Sequence, residues 1–250
     1  MYPYLQIGPL NISTYFLIIS IASIIGTVWF LRRNAAEGLS QLVAIDLTLI
    51  TLAGGFTGAR LLHVFFEEPD YYRGHWLKVF EVWNGGFVFL GGVFAGAAAA
   101  YLYCGFKRVP FFVMFDLAAI PISFTYALGR VACFFNGCCY GRHCELPWAV
   151  TIDGVPRHPT QLYASGMELI VLGILLITQR RLKAPGQLAG LWLTLHAIGR
   201  IIMESFRDDP RGNMIMGMSL ATWLSAAMIV LGIGLVLPLN RSGVVPEMQS

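Results

Sequence analysis

The sequence predicts an all-α, polytopic membrane protein with about seven transmembrane helices and a small extracytoplasmic hairpin. Charged residues are 12% of the 250 residues and hydrophobic residues are 56%, whereas soluble domains carry about 25% charged residues. A soluble domain of this length needs more charge to cover its surface, but helices in lipid need charge only near their ends. Seven apolar runs are each long enough to cross a bilayer, which completes the prediction.

These runs follow one another without a long linker. A bilayer core about 30 Å thick requires about 20 apolar residues in a helix. The whole chain, residues 1–250, is therefore predicted to form one integral membrane domain. The predicted spans are Ser13–Leu31, Leu42–Phe65, Gly86–Cys104, Phe111–Leu128, Thr160–Thr178, Leu188–Phe206 and Leu220–Leu239.

Basic residues in every second connection set the predicted orientation. The positive-inside rule places these connections in the cytoplasm, so the N-terminus is predicted outside and the C-terminus inside. Because no Lys or Arg precedes the first run, we expect a retained helix instead of a cleaved signal. The basic clusters are Arg32 with Arg33, Lys107 with Arg108, Arg180 and Arg181 with Lys183, and Arg241.

The connection at about residues 129–159 is predicted to be the functional loop on the outer side. Within it, Trp148–Ile152 is typical of a short strand, and Asp153 with Gly154 favours a tight turn, so a small hairpin is expected. The net charge is only +3 and the basic residues form no long run, so nucleic acid is excluded as a partner.

Four of the five cysteines, Cys133, Cys138, Cys139 and Cys144, lie in or beside this loop. The oxidising side of the membrane permits disulfides. Zinc remains an alternative with His143 nearby, but the spacing matches neither paired Cys-x-x-Cys nor a typical zinc histidine pattern. We therefore favour a disulfide or buried thiols, and predict neither a metal nor a cofactor.

Two clusters of small residues match the spacing that lets membrane helices approach closely. They comprise Gly54, Gly55 and Gly58, and then Gly91, Gly92 and Gly96. Helix packing is the favoured interpretation. The alternative is that the Gly85–Gly86 and Gly91–Gly92 pairs break the third helix to open a lipid pocket, since unpaired backbone is tolerated only inside protein or beside water.

Ionisable residues within predicted spans must find partners, because a charge at the bilayer centre costs about 2.5–3.5 kcal/mol. For Asp46, Asp116 and Glu168, a structural cap or packing pair is at least as plausible as chemistry. Arg60 also needs a partner. His196, Arg200 and Glu204 recur every four residues, so they share one helix face.

That face suggests either an anion site or a self-neutralising pair. In the first interpretation Arg200 binds an anion and Glu204 orients it, because a guanidinium gives phosphate two parallel charge-assisted bonds. In the second, Arg200 and Glu204 merely neutralise each other. Arginines near the outer end of the spans favour a phospholipid headgroup as the anion. These arginines are Arg130, Arg142, Arg157, Arg200 and Arg207.

Four ordered motifs make the sequence similar to the prolipoprotein diacylglyceryl transferases over most of its length. This resemblance implies a bacterial inner-membrane enzyme that needs no cofactor. Its reaction would transfer an sn-1,2-diacylglyceryl group from phosphatidylglycerol to the lipobox cysteine of a preprolipoprotein, releasing glycerol phosphate. Its partners would be these two substrates and membrane lipids. The motifs are Gly85–Gly92, Gly129–Arg142, Arg157–Tyr163 and Gly186–Arg207.

The resemblance also implies roles for individual residues. Arg130 and Arg200 would hold the phosphate, with Glu204 and Tyr15 nearby. Further residues would bind substrate or shape the site, namely Asn136, Gly141, Arg142, Gln161, Tyr163 and Arg207.

Three positions depart from the family pattern, which often has His, Asn and Glu where this chain has Leu90, Cys133 and Cys138. The usual candidate for the base is therefore missing. His196, or else His158, is the candidate to take the thiol proton, although a hydrogen-bonded core histidine is the favoured interpretation of His196. A diverged or inactive family member and a lipid or anion transporter are the alternative functions.

Overall fold

A helix occupies each of the seven predicted segments in the computed structural model, which describes residues 3–8, 10–152, 154–207 and 217–237. The predicted all-α membrane fold is confirmed. The helices are α1 Thr14–Ala36, α2 Gln41–Leu62, α3 Pro69–Arg73, α4 Phe89–Lys107, α5 Phe111–Asn136, α6 Thr160–Thr178, α7 Gln187–Glu204 and α8 Leu220–Val236.

Within these ranges, five helices are long and apolar enough to cross a membrane. They are α1, α2 together with the π-helical turn that extends it to Glu67, α4, α5 and α6. Helix α8 is apolar but has 17 described residues, and the predicted end of that span at Leu239 lies outside the described residues. Helix α7 has 18 residues, including the ionisable face formed by His196, Arg200 and Glu204.

Several predicted helix boundaries are wrong, and helix α1 ends at Ala36 and not at Leu31. Helix α4 begins at Phe89 and not at Gly86, because Gly85 and Gly86 have positive φ angles of 80° and 77°. Helix α5 continues past Leu128 to Asn136, so the loop expected from residue 129 begins at residue 137. Arg130 and Cys133 consequently lie on a helix.

The chain forms two compact units. The small unit consists of residues 30–114 and contains α2, α3 and α4. The large unit consists of residues 1–29 and 115–250, and contains most of α5 together with α6, α7 and α8. Its apolar core packs α5 against α6 and the start of α7 through Ala119, Ile120, Leu172, Leu175 and Leu188.

In the small unit, α2 and α4 pack through their glycines. A Cβ added at Gly58 would lie 2.6 Å from the Gly91 carbonyl oxygen and would overlap the Ala95 side chain. The favoured interpretation of the glycine clusters, close helix packing, is therefore confirmed. The alternative is wrong for Gly91 and Gly92, because both lie inside a continuous α4.

Gly58→Ala is expected to destabilise the small unit by about 1–3 kcal/mol, the usual cost of overpacking. Gly105→Ala is the matched control, because a Cβ there would have no neighbour within 4 Å and alanine favours a helix. Thermal unfolding of the detergent-purified variants measures the difference. Equal stability of the two variants would contradict the packing described for α2 and α4.

Arg60 finds its partners in backbone carbonyl groups. Arg60 is only 5% exposed. Its guanidinium group donates hydrogen bonds to the backbone between α3 and α4. No carboxylate of the described residues forms a salt bridge with it. The acceptors are the carbonyl oxygens of Lys78, Val79, Glu81, Gly85 and Gly86.

Two other ionisable residues have the structural roles that the sequence suggested. The Tyr103 hydroxyl donates to Asp46 Oδ2 at 2.8 Å, which is a packing pair within the small unit. In the large unit, the Asp116 carboxylate accepts from the backbone N–H groups of Gly186 at 2.6 Å and Ala189 at 2.8 Å. Asp116 therefore caps the N-terminus of α7, where a negative charge also complements the helix dipole.

Asp116→Ala is expected to destabilise the large unit by about 0.5–2 kcal/mol, the usual cost of losing such a cap. Asp116→Asn keeps one carbonyl oxygen and should lose less. Thermal unfolding of both variants beside the parent tests the order. If alanine and asparagine cost the same, the two N–H bonds are not what stabilises α7.

Two antiparallel hairpins complete the described chain. Strands β1 Tyr4–Ile7 and β2 Leu10–Ser13 form the first, and β3 Val150–Ile152 and β4 Val155–Arg157 form the second. The second hairpin was predicted and is confirmed, although Asp153 of its turn, like Arg241 of the last basic cluster, lies outside the described residues. The first was missed, despite the Gly8–Pro9 pair that is a turn signal.

Candidate active site

A cavity in the large unit is bounded by α5, α6 and α7. Three arginines line it, Arg130 from α5, Arg200 from α7 and Arg207 from the residues after α7. Its empty volume, including the space at its open side, is about 470 Å³. Apolar side chains also line it, among them Val171, Leu195 and Met203.

Arg130 is held by an aromatic neighbour and not by a carboxylate. Its Nη2 donates to the Tyr126 hydroxyl at 2.7 Å, and its Cζ lies 4.7 Å from the centre of the Tyr126 ring. No carboxylate of the described residues is within salt-bridge distance of it. The tyrosine fixes the position of the guanidinium group without neutralising it, which leaves the charge available to an anion.

Arg200 is both paired and exposed to the cavity. Its Nη1 lies 2.9 Å from Glu204 Oε2, so the self-neutralising pair considered from the sequence is present. However, that oxygen has no hydrogen bond from the described residues, which means that the contact is close but poorly aligned. Arg200 lines the cavity and Glu204 does not. The pair can therefore orient the guanidinium group while its other N–H groups bind a ligand.

His196 pairs with the buried Glu168 across α6 and α7. The imidazole Nδ1 lies 2.7 Å from Glu168 Oε2, and the Trp192 indole donates to the other carboxylate oxygen at 2.9 Å. The Tyr126 ring packs edge-on against the imidazole, with 4.6 Å between ring centres. An ionised Glu168 fixes the tautomer in which Nδ1 carries the proton and Nε2 is the basic nitrogen.

His158 lies outside this cavity. It is 8% exposed, its Nδ1 is 3.3 Å from the Tyr163 hydroxyl, and its ring packs against Phe206. The Tyr163 hydroxyl in turn accepts from the Trp148 indole at 2.7 Å. These contacts connect the residues beside the second hairpin to Phe206, which follows α7. The environment of His158 and Tyr163 is therefore typical of a structural role.

Gly141 allows three backbone segments to meet. Its N–H donates to the His158 carbonyl at 2.9 Å, and the next N–H, of Arg142, donates to the Phe206 carbonyl at 2.9 Å. A Cβ at Gly141 would lie 2.5 Å from the Phe206 carbonyl oxygen and 2.6 Å from Thr160 Cγ2. Only glycine fits there without a backbone shift.

Five of the predicted site residues line this cavity, and Glu204 lies beside it through its contact with Arg200. Asn136 and Arg142 are exposed, and Arg157 stacks on Tyr140 with Cζ 4.7 Å from the ring centre. None of these lines the cavity, and neither do His158, Tyr163, Gly141, Glu204 or Tyr15. The five that line it are Arg130, Gln161, His196, Arg200 and Arg207.

Gln161 adds a polar group to this cavity. The residue is 1% exposed, and its Nε2 donates to the Cys138 carbonyl oxygen at 2.6 Å. Its Oε1 has no hydrogen-bond partner among the described residues. Because an unsatisfied buried acceptor costs about 1–3 kcal/mol, this oxygen is suited to accept a hydrogen bond from a ligand.

Three thiols lie close together, and one of them, Cys139, lines the cavity. The Sγ atoms of Cys133, Cys138 and Cys139 are all within 4.8 Å of one another, and Cys139 lines the cavity with Arg130 and Arg207. All five cysteines of the chain are described, and all are free thiols. Hydrogen bonds with Cys133 and Cys138 hold the pKa of the Cys139 thiol below its ordinary value, and the nearby guanidinium groups act in the same direction.

Comparisons with known proteins agree with the sequence motifs. The family model described as Prolipoprotein diacylglyceryl transferase matches residues 3–238. The chain is similar to a phosphatidylglycerol–prolipoprotein diacylglyceryl transferase of Bordetella parapertussis, with 36% identity over 93% of each chain. It is also similar to a protein of the same name from Symbiobacterium thermophilum, with 35% identity over 93% of this chain and 90% of the relative. A third relative of that name, from Clostridium tetani, is 28% identical over 90% of this chain and 92% of the relative. The chain belongs to the prolipoprotein diacylglyceryl transferase family.

Proposed function

We propose that this protein transfers the sn-1,2-diacylglyceryl group of phosphatidylglycerol to the lipobox cysteine thiol of preprolipoproteins. The products are a thioether and glycerol phosphate. Family membership supports the reaction. The observation that carries it in this chain is the convergence of Arg130, Arg200 and Arg207 on one cavity between apolar helices.

The three guanidinium groups suit the phosphate diester of the donor. Arginine offers a planar fork that makes two parallel, charge-assisted bonds to phosphate oxygens. In our proposal Arg130 and Arg200 bind these oxygens and Arg207 holds the headgroup at the open side. Gln161 Oε1 accepts from a glycerol hydroxyl of the headgroup. The apolar wall formed by α6 and α7 contacts the start of the acyl chains.

The reaction places its largest charge change on the leaving phosphate. The acceptor sulfur forms a bond to the terminal glyceryl carbon, and the bond from that carbon to the phosphate oxygen breaks. The departing monoester gains a negative charge, which fixed guanidinium groups stabilise without reorganising. Arg130 and Arg200 are therefore the residues on which the rate depends most.

His196 is the proposed base for the acceptor thiol. It lines the same cavity as the arginines, and its Nδ1 is held by Glu168, which leaves Nε2 to accept a proton. His158, the other candidate from the sequence, packs among Tyr163 and Phe206 away from this cavity. The structural arrangement thus favours His196.

A direct assay tests the proposal. Detergent-purified protein is incubated with phosphatidylglycerol labelled in an acyl chain and with a lipobox peptide, and the product is identified as a thioether by mass spectrometry. A peptide with serine in place of the cysteine should give no product. Phosphatidylethanolamine should react poorly as donor. Absence of thioether from folded parent protein would contradict the proposed function.

The inner membrane and the orientation of the chain are part of the proposal. We infer that the N-terminus is extracytoplasmic and the C-terminus cytoplasmic, which follows from the basic clusters around Arg32, Lys107 and Arg180. Single cysteines in short tags at the two termini should differ in labelling by a membrane-impermeant reagent on spheroplasts, with only the N-terminal tag reactive. Labelling of both tags would rule out an odd number of spans.

A further inference from the structure

The cluster of Cys133, Cys138 and Cys139, whose sulfurs lie within 4.8 Å of one another, has the composition of a metal site. Cys133 is in the last turn of α5, and the other two follow the helix end at Asn136. Gly137 and Cys139 have φ angles of 75° and 65°, in the left-handed region. These two residues fold the chain back, so that a Cys-x₄-Cys-Cys spacing unlike a known zinc motif still brings three sulfurs together.

A disulfide accounts for this cluster less well than a metal ion. Cys138 and Cys139 are neighbours, and their Cα atoms, about 3.8 Å apart across a trans peptide, are closer than disulfide-bonded pairs usually are. Cys133 can pair with only one of them, which leaves the third thiol unused. Tetrahedral Zn²⁺ with Zn–S bonds of about 2.3 Å spaces its sulfurs by about 3.8 Å, so three sulfurs within 4.8 Å need shifts of at most about 1 Å.

We propose that Cys133, Cys138 and Cys139 bind one Zn²⁺ ion as thiolates, and that the cysteine thiol of the acceptor peptide becomes the fourth ligand. Three protein ligands with one position left to substrate is the usual arrangement of a catalytic zinc site. Cys139 lines the cavity that also contains Arg130 and Arg200, and in this proposal the fourth position opens towards that cavity. The identity of this fourth ligand rests on the proposed transfer reaction.

The chemistry of this site balances. The acceptor thiol loses its proton to His196 as its sulfur binds Zn²⁺, because a coordinated thiol is deprotonated. The bound thiolate then attacks the terminal glyceryl carbon, the new carbon–sulfur bond forms, and the carbon–oxygen bond to phosphate breaks. Glycerol phosphate carries away the electron pair. The thioether product is neutral and a weaker ligand than a thiolate, so it dissociates from the metal.

Charge complementarity supports the same assignment. Zn²⁺ with three thiolates has a net charge of −1, and a fourth thiolate makes it −2. Arg130 and Arg207 line the cavity beside Cys139, and their positive charges offset this excess. The same two groups also attract the donor phosphate. The acceptor sulfur and the donor are thereby brought together despite carrying charge of the same sign.

Metal content tests the site without any assay of transfer. Parent protein in detergent, reduced, loaded with Zn²⁺ and desalted, should retain one Zn²⁺ per chain by mass spectrometry of the metal. Each of three variants should lose Zn²⁺ to a chelator at least tenfold faster than the parent does. They are Cys133→Ser, Cys138→Ser and Cys139→Ser. Cys144→Ser, from the same connection, is the matched control and should bind like the parent. Equal retention in all four variants would overturn the site.

The absorption spectrum of the Co²⁺-loaded protein tests the coordination geometry and the identity of the fourth ligand. The Co²⁺-loaded protein should show the ligand-field bands of a tetrahedral thiolate site, and adding the lipobox peptide should strengthen its sulfur-to-metal charge-transfer band. The serine peptide should leave the spectrum unchanged. If the cysteine peptide also leaves it unchanged, the acceptor is not a ligand. If two of the three thiols are already joined in a disulfide in protein isolated without reductant, and reduced protein binds no metal, the zinc site is wrong.

These outcomes separate the inference from the proposed function. Transfer that proceeds at the parent rate after complete removal of the metal would overturn the zinc proposal and leave the transfer reaction intact. A spectral response to the cysteine peptide without transfer from any phospholipid would support the metal site and contradict the proposed function.

Discussion

Lysine in place of Arg130 or Arg200 is expected to lower the rate of diacylglyceryl transfer by about 10²–10³-fold, the usual effect of losing one preorganised donor to a developing anion. Lysine keeps the charge but loses the planar fork that binds two phosphate oxygens. At Arg130 it also loses the fixed position on the Tyr126 ring. Initial rates with labelled phosphatidylglycerol, at several donor concentrations, measure the effect on both kcat and KM.

Arg73→Lys is the matched control for these replacements. Arg73 lies in the small unit, its side chain is 73% exposed, and it forms a surface pair with Asp70. This variant should transfer like the parent. Thermal unfolding shows whether each variant is folded. A folded Arg200→Lys protein with nearly full activity would mean that the two-arginine clamp is wrong.

Glutamine in place of His196 is expected to reduce transfer by about 10²–10⁴-fold, the usual contribution of general acid–base catalysis. The same change at His158 should cost less than about tenfold, because His158 is absent from the cavity lining. The pH–rate profile separates catalysis from structure: removal of a base should abolish the rise in rate that accompanies its deprotonation. A structural histidine would leave that limb of the profile in place.

Glu168→Gln isolates the orienting role of the carboxylate. Glutamine preserves the size of the side chain and can still accept from Trp192, but it no longer favours the tautomer with the proton on Nδ1. We expect an intermediate loss of activity with a shifted pH profile. Losses below about tenfold for both His196→Gln and His158→Gln would mean that no histidine acts as base.

The sequence predicted those structural elements whose pattern lies within one continuous segment of the chain. Apolar length located seven helices, and the glycine spacing anticipated the contact between α2 and α4, because both patterns are read within a single segment. The hairpin at 150–157 was found from its alternation and its Asp–Gly turn. Helix α5 was cut short at Leu128 because Arg130 was interpreted as a loop residue, whereas its partner Tyr126 lies one turn earlier on the same helix.

The site was predicted in part, and the missed contacts are those between distant segments. For Glu168, a structural cap or packing pair was held at least as plausible as chemistry, since nothing near it in the sequence indicates His196, 28 residues away. Similarly, the cysteine spacing left zinc as an alternative to a disulfide or buried thiols but did not indicate which sulfurs meet, because their convergence depends on a left-handed backbone at Cys139. Non-glycine residues rarely adopt that conformation, so a single sequence does not reveal it.

Arg60 makes the chain from Lys78 to Gly86 unusually tolerant of sequence change. Its guanidinium group holds this segment through main-chain oxygens alone, which every amino acid supplies. The backbone path is therefore specified by one residue outside the segment and by the two glycines with positive φ. Exposed side chains such as Phe80 and Trp83 contribute little to that path, so spectroscopic labels can be placed there while the local conformation is retained.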